Sequence, residues 1–183
     1  MGDPKKKHKL YTTPKRPWDF ANLEAELKLV GAYGLRNKRE LWRHKTELST
    51  LRRRAREIVS MGITEREQLE TDLLGRLHRR GLIQEKGNLD DILSLNVQDL
   101  MERRLQTVVF RKGIAKSLFQ SRQLISHGHI SIAGRKMKAP SYMVTRTDEG
   151  SLDYAESSPF IIKTHPLRQD LIIKEDVEAA PVE

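Results

Sequence analysis

Residues 102–144 read ERRLQTVVFRKGIAKSLFQSRQLISHGHISIAGRKMKAPSYMV, and this stretch decides the fold. Nine basic residues (Arg103, Arg104, Arg111, Lys112, Lys116, Arg122, Arg135, Lys136, Lys138) stand against one acid, Glu102. Enough apolar residues accompany them to build a small core. A folded unit with one cationic face usually meets a polyanion, most commonly RNA or DNA.

The periodicity says how the unit is built. Val97, Met101, Leu105, Val108 and Val109 recur at helical spacing, which predicts one helix, capped by Asn96 and stopped by Gly113. Arg103, Arg104 and Arg111 fall largely off its apolar stripe. Ser117 and Gln120 form a capping-box pair for a second helix, in which Leu118, Ser121, Leu124 and Ile125 face inward. Ser121 is small enough to let the two helices approach closely, and Gly128 ends the second. Ile130 and Ile132 then alternate with Ser131 and Ala133, the period of a half-buried strand. Gly134 and Arg135 make a turn into a return strand at Lys136–Lys138. On this pattern Arg103, Arg104, Arg111 and Arg122 share one patch, continued by Lys116 and Lys136. Lys112, Ser117 and Gln123 are expected on the same RNA face.

Several of these residues carry a resemblance. Glu102-Arg103-Arg104-Leu105, Gly113-Ile114-Ala115-Lys116-Ser117, Arg122-Gln123-Leu124-Ile125, Ser126-His127-Gly128-His129-Ile130 and Gly134-Arg135-Lys136 closely resemble the alpha-L RNA-binding domain of the S-four superfamily. The resemblance implies two helices and a small twisted sheet, with His127, Gly128 and His129 on the RNA face. A plainer reading has one histidine satisfying backbone carbonyls.

The rest of the chain sets the class. Its 183 residues allow one domain or two small ones. Net charge is +9, and the first 60 residues hold 16 Lys/Arg against 7 Asp/Glu. The last 33 residues are acidic, so the basic end suits nucleic acid and the tail does not. Without cysteine there is neither a disulfide nor a thiolate zinc site. No apolar run approaches the ~20 residues needed to span a bilayer, and the N-terminus lacks the apolar segment of a secretory signal. The expected location is the cytoplasm.

Residues 1–20 read as an extended basic arm. Pro4, Pro14 and Pro17 oppose helix, and Lys5, Lys6, Lys7 and Lys9 repel one another. Lys5, Lys6 and Lys7 are expected to reach RNA, and Tyr11 could stack on bases. Trp18 fits either a stacking partner or a core anchor. Residues 21–95 read as a helical, basic region. A short helix spans Asn22–Val30. A longer one spans Asn37–Ser60, started by Asn37 with Glu40 and striped by Leu41, Leu48, Leu51, Ala55 and Ile58. Arg52, Arg53, Arg54 and Arg56 crowd that helix, and Arg52, Arg53 and Arg56 are expected to contact phosphates. A third helix opens on a Thr64–Glu67 capping box and ends at Gly81. Its acids come first and its arginines last, as the macrodipole prefers. Residues 82–86 form a linker and Leu89–Leu95 a short turn of helix. Residues 96–168 make the alpha-L domain. Thr145–Ser158 is polar and turn-rich, Phe160–Ile162 is a candidate closing strand, and Leu171–Lys174 is a second. Residues 169–183 are an acidic tail. The fold class is α+β.

A second set of residues resembles the archaeal-type small-subunit (30S) ribosomal protein S-four family over roughly residues 1–168. It comprises Met1-Gly2-Asp3-Pro4, Tyr11, Pro14, Pro17-Trp18, Tyr33-Gly34-Leu35-Arg36-Asn37-Lys38, Glu40-Leu41-Trp42, Arg53-Arg54-Ala55-Arg56, Leu93-Ser94-Leu95, Ser158-Pro159-Phe160 and His165-Pro166. The resemblance implies direct binding to 16S rRNA, early assembly of the subunit body and an influence on decoding accuracy. It also implies neighbouring ribosomal proteins, the S-five family protein among them, and no homo-oligomer. Some relatives carry a cysteine zinc site, which this chain lacks. The alternative is a non-ribosomal RNA-binding module, such as a ribosome-rescue or RNA-modification accessory factor. An enzyme would need a catalytic domain of the order of 100 residues. The 95 residues before the motif offer no nucleophile and no phosphate loop. Ser117 has a capping role rather than a His/Asp partner, and Asp90 and Asp91 sit where a helix starts. His127 and His129 lack further ligands at metal spacing. No catalytic residue, metal or cofactor is expected.

Overall fold

The computed structural model describes residues 9–85, 87–162, 165, 166 and 168, except the side chains of residues 63 and 64. Lys5, Lys6 and Lys7, the candidate strand Leu171–Lys174 and the acidic tail lie outside these residues. The described chain divides into two compact units, one of residues 9–74 and 87–100, the other of 75–85 and 101 onward.

The first unit is helical: α1 (Phe20–Ala32), α2 (Lys38–Val59), most of α3 (Ile63–Arg79), α4 (Leu89–Ser94) and the start of α5 (Val97–Glu102). The Asn37 side chain accepts from the Glu40 N–H and caps α2, worth about 1 kcal/mol. The predicted stripe Leu41, Leu48, Leu51, Ala55 and Ile58 is buried, and His44 joins it. α3 begins at Ile63, so Thr64 lies inside the helix rather than at its cap. Asn88 and Asp91 form a reciprocal capping box at α4, and Asp90 beside it adds a second acid to the first turn, where the helix dipole favours it. Part of the expected arm is docked: the Tyr11 ring lies 5.9 Å from Trp42, and the Thr12 N–H donates to the Thr46 hydroxyl at 3.0 Å. Trp18 is 87% exposed and anchors no core here.

Glu26 has no counterpart in the sequence reading. It is buried, yet accepts from the Trp42 indole at 3.0 Å and the Lys45 ammonium at 2.8 Å, with Lys38 at 3.5 Å. Burial pushes this carboxyl up. The hydrogen bonds from Lys45 and Trp42, and the charges of Lys45 and Lys38, outweigh it and hold the group below the ordinary carboxylate range.

The second unit carries α6 (Leu105–Arg111), α7 (Leu118–Ser126), β1 (Ile130–Ile132), β2 (Arg135–Met137), α8 (Arg146–Gly150) and β3 (Leu152–Tyr154). The predicted single helix is two, α5 and α6, broken at Arg103-Arg104. Arg104 is extended and bridges Met143, while the Leu105 N–H donates to the Tyr142 carbonyl and the Val144 N–H to the Arg103 carbonyl. The otherwise orphaned N–H groups of the first turn of α6 thus find acceptors in the returning chain. Apolar spacing cannot register such a break, because Met101, Leu105 and Val109 are buried on both sides of it. Ser121 is fully buried on α7, and its hydroxyl donates to the Gln106 carbonyl at 2.6 Å, so α6 and α7 do pack closely.

The sheet is antiparallel in the order β2-β1-β3, with Ile130 opposite Met137 and Tyr154. The turn falls at Ala133-Gly134, both at positive φ (48° and 76°), so Arg135 belongs to the return strand. Two left-handed residues make the tight hairpin turn whose twist suits the strands. The closing strand is Leu152–Tyr154. The candidate Phe160–Ile162 is instead part of a 3-10 helix, Pro159–Ile161, started by Pro159 and the Ser158 hydroxyl. All of β1 is buried, Ser131 included; its hydroxyl finds the Tyr154 carbonyl at 3.2 Å. Leu105, Val109, Leu124, Ile125, Ile130 and Tyr154 form the centre of this core.

Candidate nucleic-acid interface

Arg104 is 1% exposed and lies inside the second unit. It therefore cannot offer its guanidinium to a phosphate, and the expected four-arginine patch is corrected. The cause is the break before α6, which turns Arg104 inward. Arg103 is largely held as well: it donates to Glu149 at 2.8 Å and to the Val144 carbonyl at 3.1 Å. Its guanidinium also lies where a Cβ on Gly81 would be, 2.9 Å away, so Gly81 leaves room for it. Arg103 thus ties residues of its own unit together. Arg111 is exposed but pairs with Glu102 at 3.1 Å. Lys112 is exposed and donates to the Glu149 carbonyl.

Around α7 the expected groups survive with other duties. Ser117 caps the helix by accepting from the Gln120 N–H. The Gln120 side chain accepts from the Lys116 N–H, not from Ser117, so the capping box is shifted by one residue. Arg122 is half-buried and donates to the Gln106 side chain at 3.3 Å, while Gln123 is exposed.

The end of α7 and the hairpin form a basic edge. Gly128 (φ 76°) terminates the helix in the left-handed conformation, and its N–H donates to the Ile125 carbonyl. The Lys138 side chain passes within 3.4 Å of where a Gly128 Cβ would stand. Lys138, counted above only as one of nine cations, belongs to this edge; the Lys136-x-Lys138 spacing that puts both on one strand face was its signal. Lys136 and His127 are exposed. His129 is half-buried: its Nδ1 meets the Ser158 hydroxyl at 3.1 Å, and its ring stands edge-on to Phe160 at 4.8 Å. Burial, then the charges of His127 and Lys136, hold its pKa below the ordinary histidine value. It is therefore neutral at pH 7 and packs the edge rather than adding charge.

In the first unit Arg53, Arg54 and Arg56 are exposed on α2. The Arg53–Glu57 pair at 3.8 Å lies in solvent and holds Arg53 only weakly. Arg52 is half-buried and donates to the Leu95 carbonyl, joining α2 to α4. Lys45, Arg52 and Arg56 line a groove of about 380 Å³ with Leu48, Ser49 and Val97. Among the described residues no group of three or more His, Asp or Glu stands where it could hold a metal, and no helix is long and apolar enough to cross a membrane.

The S4 domain model matches residues 103–149, the stretch from the break before α6 through α8. Small ribosomal subunit protein uS4 of Ignicoccus hospitalis is 50% identical over 163 residues, covering 89% of this chain and 98% of that protein. The protein of the same name from Hyperthermus butylicus is 49% identical over 160 residues, 87% of this chain and 91% of the relative. That of Thermoplasma acidophilum is 46% identical over 176 residues, 94% and 88% of the two chains.

Proposed function

Since this chain belongs to the small ribosomal subunit protein uS4 family, we infer that it is a structural, non-enzymatic constituent of the small ribosomal subunit that binds rRNA. The observation that carries the reading is the basic edge of the second unit, built from the end of α7 and the hairpin. From Arg103 to Thr147 the sequence contains no acid at all. A surface so one-sided in charge is suited to the phosphates of a folded RNA.

The finer reading is ours. Arg111, Lys112, Lys116, Ser117, Arg122, Gln123, His127, Gly128, Lys136 and Lys138 face the RNA on the second unit. Arg53 and Arg56 do so on the first, and Lys5, Lys6 and Lys7 in the arm. The protein enters early, nucleates the subunit body, neighbours the S-five family protein and contributes to decoding accuracy. It acts in the cytoplasm as one copy per subunit. The acidic stretch 169–183 stays off the RNA.

The test is filter binding of the purified chain to small-subunit rRNA across a salt series. Affinity should fall linearly on a log–log plot with a slope reporting several phosphates. A flat salt dependence would refute the electrostatic reading.

A further inference from the structure

Five residues of the second unit carry phenyl or phenol rings, and four are at least half-buried. Phe110 is half-buried. Tyr142 and Phe160 pack against the core, and Tyr154 is buried with its hydroxyl donating to the Ile114 carbonyl at 2.7 Å. Phe119 is the exception. It is 69% exposed, and the core closes without it.

One apolar side chain on a surface is ordinary. The setting of Phe119 is not. It is the second residue of α7, and Arg122 and Gln123, three and four positions on, share its helix face. Lys116 lies just before the helix. An apolar protein partner covering this ring would have to desolvate the cations beside it without supplying charge. A nucleotide brings both complements at once, a flat aromatic face for the ring and a phosphate for the cations. We propose that Phe119 is a stacking platform for a single-stranded base of the RNA bound by this unit, with Arg122 and Lys116 on the adjoining phosphates. The proposal rests on the rRNA-binding reading above and adds a base contact to it. Because every base presents a π face, such a contact tolerates sequence change at that nucleotide.

The experiment measures binding of the full chain to purified small-subunit rRNA for the wild type and for Phe119→Ala, Phe119→Leu and Phe119→Trp, each over a salt series. Phe119→Ala should weaken binding roughly five- to a hundred-fold, with an unchanged salt slope because no charge is lost. Phe119→Trp should keep the affinity, and Phe119→Leu should fall with the alanine variant. An unchanged affinity for Phe119→Ala overturns the proposal. So does a leucine variant as tight as wild type, which would make the contact merely apolar. A variant that binds rRNA normally but fails to enter reconstituted subunits assigns the ring to a protein neighbour and overturns it too. Failure of the wild type itself to bind would refute the rRNA reading and this proposal with it, and is seen without any variant. Melting temperatures should match across the series, since the ring stands in water; a loss of affinity that follows a loss of melting temperature counts against stacking.

Discussion

Replacing Glu26 tests whether a buried carboxylate holds the first unit together. In Glu26→Ala the Trp42 indole loses its acceptor, and Lys45 and Lys38 lose their counter-charge. Hydrogen bonds to charged groups are worth about 1.5–3 kcal/mol each. The Lys45 side chain is 42% exposed, so much of its share returns through hydration and is discounted. The expected loss at pH 7 is about 2–4 kcal/mol for alanine and about 1–2 kcal/mol for Glu26→Gln, which keeps an acceptor for the indole. The assay is urea denaturation followed by tryptophan emission, since Trp18 and Trp42 both lie in the first unit. The sign of the pH dependence follows from the depressed folded pKa. The stabilisation is fully present above the unfolded carboxyl value of about 4.3, and disappears as the pH falls through the lower folded value. The gap between wild type and Glu26→Gln should therefore close in acid. An equal gap at pH 7 and pH 3, or no gap at pH 7, refutes the electrostatic account.

Arg104→Ala should behave as a core lesion. It should lower stability by about 2–4 kcal/mol and leave the salt slope of rRNA binding in the surviving folded protein unchanged, as calorimetry and a salt series would show. Lys136→Ala and Lys138→Ala should each reduce that slope by about one without shifting the melting temperature. Gly128→Ala forces a side chain into a left-handed backbone and should cost about 1–2 kcal/mol in chemical denaturation. Removing residues 1–8 should weaken entry into reconstituted subunits. Extending the cut through Pro17 should also lower the melting temperature of the first unit, because Tyr11 leaves Trp42 and Thr12 leaves Thr46.

The parts of the fold that could be read in advance are those specified locally. The α2 stripe, the caps at Asn37 and Ser117, and the hairpin each depend on a few neighbouring residues whose chemistry admits little else. What escaped was specified at a distance. β3 has three residues and exists because Ile130 and Ile132 supply its ladder from 20 to 24 residues away; its Leu-Asp-Tyr alternation was visible but too short to weigh. α8 was announced by Thr145 and Asp148, a capping box that the polar composition around it masked. Arg104 looked like a surface cation because its position relative to the stripe presumed an unbroken helix. Lys138 and Phe119 lie within the stretch that decided the fold; the alternation with Lys136 signalled the first, but only the packing shows that the core does not need the second.

β2 forms one edge of the three-stranded sheet, and its outer backbone groups are a ready template for a strand from another molecule. The strand is only three residues long and carries Arg135 and Lys136 exposed, with Lys138 following. Two chains approaching edge to edge would bring these like charges together before any ladder could form. These cations therefore guard the edge during the interval between synthesis and arrival of the nucleic acid, and on the proposed interface rRNA bound at Lys136 and Lys138 would take over that shielding. Neutral substitutions here should thus reduce solubility as well as affinity, most severely when the chain is made in excess of its RNA.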